Sequence, residues 1–408
     1  MKEILHDFQA LLGNASPFPP GLRKERFFVH VTFSMGTSAD RQDILDFGDL
    51  VFSKSDRPHD FQTLLPRLYG PQASFEPLHY LVKEDGKIRA MVCVLPMEYQ
   101  VGETVLKISG VGTVSVHPAA RGRGYMKKLM NWALRDMQER GEAFSVLGGQ
   151  RQRYEYFGYT PSGVKLTYTI TRDNLRHRYA GRTFAEITLR PMEEKDWAAC
   201  HALYQKLPAG TLRSREEFPA ILRSWDAVPW TVEKDGKVAG YFCLAAQRIL
   251  ELVLDDPGLL PEVLQGIFQT TGLAECFLSL PDWEMSLTPE LGHLTEWYRL
   301  ECDNNYRIFD FPAVARAFLQ MKAAYTFLPD GQLSLALTDG QQLTLTVSGG
   351  VPSVTETANP DAWQLTPLEA QRLLFTPEGW REIPQAGKNS LARAWFPLPL
   401  FNFSQDNC

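Results

Sequence analysis

Several features that would assign a function at once are missing from this 408-residue chain. No apolar run approaches the roughly 18 residues of a membrane-spanning helix, so no membrane partner is expected. The first residues, MKEILHDFQALLGNASPFPPG, lack the long uncharged core of a secretion signal, and a cytoplasmic setting is expected. The six cysteines (Cys93, Cys200, Cys243, Cys276, Cys302 and Cys408) lie far apart, with no CxxC or CxxxH grouping. They read as reduced thiols, not as a disulfide frame or a zinc site, and no metal is expected. Basic residues are outnumbered, 42 Lys and Arg against 48 Asp and Glu, which argues against a nucleic-acid partner. Both common phosphate fingerprints, G-x-x-x-x-G-K-[ST] and G-x-G-x-x-G, are absent as well.

What is present is a soluble composition, 44% hydrophobic and 22% charged, in a chain long enough for two or three domains. Its main long-range feature is an internal echo. HYLVKEDGKIRAMVCVLP, from His79, and PWTVEKDGKVAGYFCLAA, from Pro229, are each a pair of β-rich runs around a D-G-K turn, a strong hairpin signal. Asp85 and Asp235 lie 150 residues apart. A helical stretch precedes each hairpin (DRQDILDFGDLVF and EKDWAACHALYQKL). A strand and a helix follow each: VGTVSV and GYMKKLMNWALRDMQER, then ILELVL and LLPEVLQGIFQT. A duplicated domain is predicted. From Glu301 the character changes: YRIFDFPAVARAFLQM has a helical pattern, GQLSLALTDGQQLTLTVSGG alternates around an Asp339-Gly340 turn, and TPLEAQRLLF reads as a short helix. This predicts a third, smaller α+β unit. The aromatic, proline-braced end ARAWFPLPLFNFSQDNC needs something to bury against.

Positive charge and glycine concentrate in VSVHPAARGRGYMKKLM, residues 114–130. Met126, Leu129, Met130, Ala133, Leu134 and Met137 form one face of a helix, and the segment before them is strand-like. Arg121-Gly122-Arg123-Gly124 is therefore a glycine-rich strand-to-helix turn. There, unpaired N–H groups and the helix dipole favour an anion, while Arg121, Arg123, Lys127 and Lys128 supply charge. A diphosphate fits, although a solvated basic turn capping a helix would have the same composition.

This stretch resembles motif A of the GCN5-related N-acetyltransferases (GNAT): strand, R-x-x-G-x-G/A, helix. Met126 stands where most of that superfamily keeps a small residue. In this the chain resembles the enhanced intracellular survival family, where a bulky residue is usual, and RYEYFGY (residues 153–159) resembles that family's Y-x-x-F-G-Y element. The resemblance implies a mixed α/β (α+β) fold in three units: a catalytic GNAT domain over 1–165, a degenerate GNAT domain over 166–300, and a sterol-carrier-like domain over 301–408 whose tail returns to the active site. It implies acetyl-CoA as co-substrate, an amine acceptor (aminoglycoside, polyamine-like or lysine) and a homo-oligomer, hexameric by analogy.

The resemblance further implies main-chain contacts from Val114 and Val116 to the pantetheine arm. Backbone N–H groups of Gly122, Arg123, Gly124, Tyr125 and Met126 would hold the pyrophosphate, with Arg121 adding charge. It makes Tyr154 the general acid, with Tyr156 and Tyr159 as neighbouring competitors, and the carboxylate of Cys408 the general base, with Asp406 as substitute. His117, beside the cofactor strand, is a weaker candidate base. The second copy reads LVLDDPGLLPE where the first reads VSVHPAARGRG; Asp255 and Asp256 would repel a diphosphate there. Asp56 is a further acid available to read a cationic substrate. Two alternatives stay open: a non-catalytic protein binding CoA or an apolar ligand, and a transferase using a longer acyl-CoA.

Overall fold

The computed structural model describes residues 29–54 and 58–408, so Asp56 lies outside the described residues. Its strands run β1 (Val31–Met35), β2 (His79–Glu84), β3 (Lys87–Val101), β4 (Thr104–Val116), β5 (Phe144–Leu147) and β6 (Thr160–Ser162). Then come β7 (Lys165–Thr171), β8 (Thr188–Pro191), β9 (Ala209–Thr211), β10 (Val228–Lys234), β11 (Lys237–Ala245), β12 (Arg248–Leu254), β13 (Glu275–Pro281), β14 (Tyr298–Glu301) and β15 (Asn304–Ile308).

The echoed turns build matching hairpins. Asp85 and Gly86 have φ of 48° and 80°, Asp235 and Gly236 of 51° and 71°, the all-positive geometry of a type I′ turn. The match extends to irregularities: the β2–β3 register slips between Val82 and Lys83, and the β10–β11 register slips between Val232 and Glu233. The two sheets have the same plan. The first is ordered β1-β2-β3-β4-β5-β15-β6, the second β8-β10-β11-β12-β13-β7-β14.

The halves exchange strands. β7 follows the first sheet in sequence but pairs with β13 in the second, while β15 follows the second sheet and pairs with β5 and β6 in the first. A division at residue 300 therefore falls before a strand of the first sheet. Correspondingly, Tyr306–Ile308 are not the start of a helix: the helix runs Phe311–Tyr325, with Asp310 accepting a hydrogen bond from Ala313 N and Pro312 in the first turn. Tyr306 is wholly buried in the sheet, where strand pairing overrides the helical spacing of the letters.

A third sheet follows, with β16 (Gly331–Leu337), β17 (Gln342–Ser348), β18 (Val351–Thr355) and β19 (Trp363–Leu365) in the order β18-β17-β16-β19. The last residues are anchored, not frayed. Trp395, Leu398, Leu400, Phe401 and Phe403 are buried in one core with residues of both larger sheets. Val164 N donates to Leu400 O at 2.7 Å, Asn402 N donates to Asp303 Oδ2 at 2.9 Å, and Tyr99 Oη donates to Phe401 O.

Candidate active site

The site forms where β4 loses its neighbour. β4 and β5 pair in parallel from Ile108↔Phe144 to Val111↔Leu147, where β5 ends. On its other edge β4 stays on β3 to Val116, and His117 N donates to Arg89 O. Strand alternation then turns the N–H and C=O groups of Val114 and Val116 away from β3, toward the gap beyond β5. The gap opens into a cleft of about 850 Å³.

At the mouth of this cleft the helix Tyr125–Glu139 begins. Gly122 and Gly124 have φ of 80° and 76°, a left-handed conformation that glycine adopts at little cost. A Cβ on either would meet no atom within 4 Å, so an incoming group can reach the backbone. Val114, Val116, Arg121, Gly122, Gly124, Tyr125 and Met126 all line the cleft. Arg123 departs from the sequence expectation for its side chain. Its guanidinium turns to Glu84, which also accepts from Tyr125 Oη at 2.6 Å, so that charge is spent on fixing the turn. Lys127 and Lys128 lie over the rings of Tyr156 and Phe33. Open backbone, helix N-terminus and the Arg121 charge fit a diphosphate.

The three tyrosines of RYEYFGY separate cleanly. Tyr159 is wholly buried and shares a 2.6 Å hydrogen bond with Ser145 Oγ. Tyr156 is 66% exposed. Tyr154 is buried yet lines the cleft, and among the described residues its hydroxyl has no hydrogen-bond partner. Burial raises its phenol above the usual tyrosine range, with the Arg153 charge opposing, so it stays protonated. Gly149 makes room for the ring: a Cβ there would sit 2.6 Å from Tyr154 Cε2.

Cys408 lies against β4. A Cβ on Gly112 would be 2.2 Å from the Cys408 carboxyl carbon, and one on Gly110 would be 2.8 Å from its Sγ. Burial pushes the thiol up to about 12, so it stays protonated near neutrality. Asp406 is not free to act as a base, since it is held by Arg213 Nη2 at 2.7 Å. His117 is a local brace: Nδ1 accepts from Ala119 N at 3.1 Å, starting the Pro118–Ala120 turn. In the second copy, Asp256 caps its own turn by accepting from Gly258 N, and Asp255 pairs with Lys206.

One feature of the site has no sequence signature. Thr113, a β-branched residue, has φ of 43°, in a region such side chains rarely visit. It is held by a buried chain: Thr113 Oγ1 to Tyr69 Oη at 2.8 Å, Tyr69 Oη to His79 Nε2 at 3.0 Å, and His79 Nδ1 to Phe75 O at 2.8 Å. The Phe75 carbonyl can only accept, so Nδ1 carries the proton and Nε2 accepts from Tyr69. The interrupted register that results separates the Gly112 seat from the Val114 and Val116 edge. Among the described residues no three His, Cys, Asp or Glu side chains cluster as a metal site would need, and no helix is long and apolar enough to cross a membrane.

Residues 33–162 match the family model of an acetyltransferase (GNAT) domain. No curated protein matches the chain significantly. Among solved structures, a GCN5-related N-acetyltransferase from Anabaena variabilis is similar over 91% of this chain and 98% of its own, at 18% identity and a TM-score of 0.65. One from Kribbella flavida covers 92% and 97%, at 16% identity and a TM-score of 0.64. Eis1 from Mycobacterium abscessus covers 93% and 100%, at 15% identity and a TM-score of 0.62. These likenesses extend the shared fold across nearly the whole chain, and within it residues 33–162 are a GNAT acetyltransferase domain.

Proposed function

We propose that the protein acetylates primary amines with acetyl-CoA, by direct transfer. The observation that carries this reading is that one strand, β4, borders both the open cleft at the Gly122–Gly124 turn and the seat of the Cys408 carboxyl at Gly112. The coenzyme would supply a thioester-activated acetyl group. Val114 and Val116 would hold its arm through the free strand edge, and the N–H groups from Gly122 to Met126 would hold the pyrophosphate. Val116 N–H would polarise the acetyl carbonyl. Tyr154 Oη would give its proton to the departing thiolate, and the carboxylate that Cys408 carries in this chain would take one from the attacking amine. The tail, the Y-x-x-F-G-Y element and the two-sheet plan support the enhanced intracellular survival family as the closer kinship. The sterol-carrier likeness of the third unit, a hexameric assembly and a cytoplasmic setting belong to the same reading.

A non-catalytic binder would have no use for a protonated tyrosine in the cleft or a carboxylate seated on β4. The test is release of free CoA from acetyl-CoA in the presence of an aminoglycoside, a polyamine and a lysine peptide, with propionyl-CoA run alongside. Turnover with at least one amine, lost in Tyr154→Phe, is the expected result. Tight coenzyme binding without turnover on any amine would favour the binder.

A further inference from the structure

The second sheet has lost the coenzyme turn, yet it holds the most deeply buried ion cluster among the described residues. Arg213, Glu251 and Asp406 have fully buried side chains. Arg213 Nη1 and Nη2 donate to Glu251 Oε1 and Oε2, both at 2.9 Å, and Nε and Nη2 donate to Asp406 Oδ1 and Oδ2 at 3.1 and 2.7 Å. Its guanidinium also lies 4.0 Å from the ring centre of Tyr204, and Tyr241 Oη donates to Glu251 at 2.6 Å. Arg67 Nη1, 3.9 Å from Asp406, brings a second positive charge near the two carboxylates. Arg213 follows β9, the strand of the second half that pairs with the end of β3 in the first.

The duplication shows what this cluster replaces. In the first sheet Cys93 pairs with Gly112; in the second Cys243, 150 residues later, pairs with Glu251. Glu251 thus holds the position of Gly112. Where the first copy leaves a bare strand for the Cys408 carboxyl, the second extends a carboxylate of its own and clamps an arginine with it. That arginine grips Asp406, two residues before Cys408, while Trp225 Nε1 donates to Asn407 O at 3.3 Å.

We infer that Arg213 is a positioning residue for the reaction: the degenerate copy has been converted into a socket that fixes the chain end on Gly112. The inference rests on the reading of the Cys408 carboxylate as the base. Arg213 presents its fork to both carboxylates, and only the bond to Asp406 bears on the tail; Glu251 orients the fork from behind.

Two single variants separate this role from general support, because each leaves one complete arginine–carboxylate pair. Asp406→Ala keeps Arg213 with Glu251 but frees the tail. Glu251→Gln keeps Arg213 with Asp406. Asp406→Ala is expected to lower kcat by about a hundredfold, within the range of acid–base catalysis, with KM for acetyl-CoA unchanged. It should also open the last residues to carboxypeptidase. Glu251→Gln should stay within about threefold of wild type, following its retained Arg213–Asp406 pair, and resist digestion. Equal losses in the two variants, or a wild-type kcat and a protected tail in Asp406→Ala, would overturn the inference while leaving the terminal base standing. A chain ended at Asn407 that turns over at the wild-type rate would overturn both. Should Asp406→Ala not fold, Arg213→Lys reads the same point: it keeps the charge but loses the fork, and must expose the tail to carboxypeptidase.

Discussion

Gly112 and Cys408 compete for one space: a Cβ on Gly112 would lie 2.2 Å from both the carboxyl carbon and the oxygen of Cys408. Gly112 is not among the residues with positive φ, so its backbone would accept alanine. Only the docked tail forbids it. Gly112→Ala is therefore expected to cut amine acetylation by about a hundredfold, as loss of a general base does, while acetyl-CoA still binds at the Val114–Val116 edge and the Gly122–Met126 turn. Steady-state kinetics beside a coenzyme-induced thermal shift check both halves.

Tyr154→Phe removes one hydroxyl that has no hydrogen-bond partner among the described residues, so its stability should change little. The rate should fall by about 10²- to 10⁴-fold if that hydroxyl is the acid. Because burial raises its pKa, an acid that must be protonated remains so on the alkaline side. The wild-type rate is therefore expected to hold to pH 9, with no loss attributable to this phenol. A pH–rate profile in both proteins reads the difference.

Gly124→Ala places a Cβ at φ of 76°, costing roughly 1–2 kcal/mol of backbone strain. Unwinding the first turn to relieve it would misdirect the N–H groups proposed to hold the pyrophosphate. Coenzyme at about a hundred times its dissociation constant stabilises by roughly 2.7 kcal/mol, and a tenfold weaker site would retain about half of that. The shift in unfolding midpoint with acetyl-CoA should shrink accordingly in Gly124→Ala and in Arg121→Ala. In Arg123→Ala it should shrink less, the side chain being committed to Glu84.

His79 gives the account a pH signature. Wholly buried, its pKa is lowered by burial from 6.5 to about 4, with the Phe75 hydrogen bond opposing. The unfolded chain thus binds the proton first as pH falls. The stability from neutral His79 is present above about 6.5 and is lost between there and about 4, amounting to roughly 3 kcal/mol. Denaturation midpoints from pH 7 to pH 4 should fall less steeply in His79→Gln than in the wild type.

How far the letters led depends on which interactions decide each element. The two D-G hairpins, their flanking helices and the Arg121–Gly124 turn are local, set by turn chemistry and by periodicity over a few residues, and they were legible. β15 was not: NNYRI has neither alternation nor a turn beside it and becomes a strand because β5 and β6 leave an edge between them. Arg123 reads like Arg121, and only its neighbour Glu84 turns it away. Gly110, Gly112 and Arg213 carry no motif at all. They matter because the chain's last residues return across nearly three hundred positions, a pairing that the aromatic composition of the tail suggested and only the packing could locate.

The most direct test of the account varies the chain end. Cys408→Ala keeps the terminal carboxylate, deletion of residue 408 withdraws it, and one alanine added after Cys408 moves it. Amine acetylation is predicted to persist in the first and to fall by about a hundredfold or more in the other two, with coenzyme binding retained in all three. Full activity in the lengthened or shortened chain would contradict the terminal carboxylate as the base.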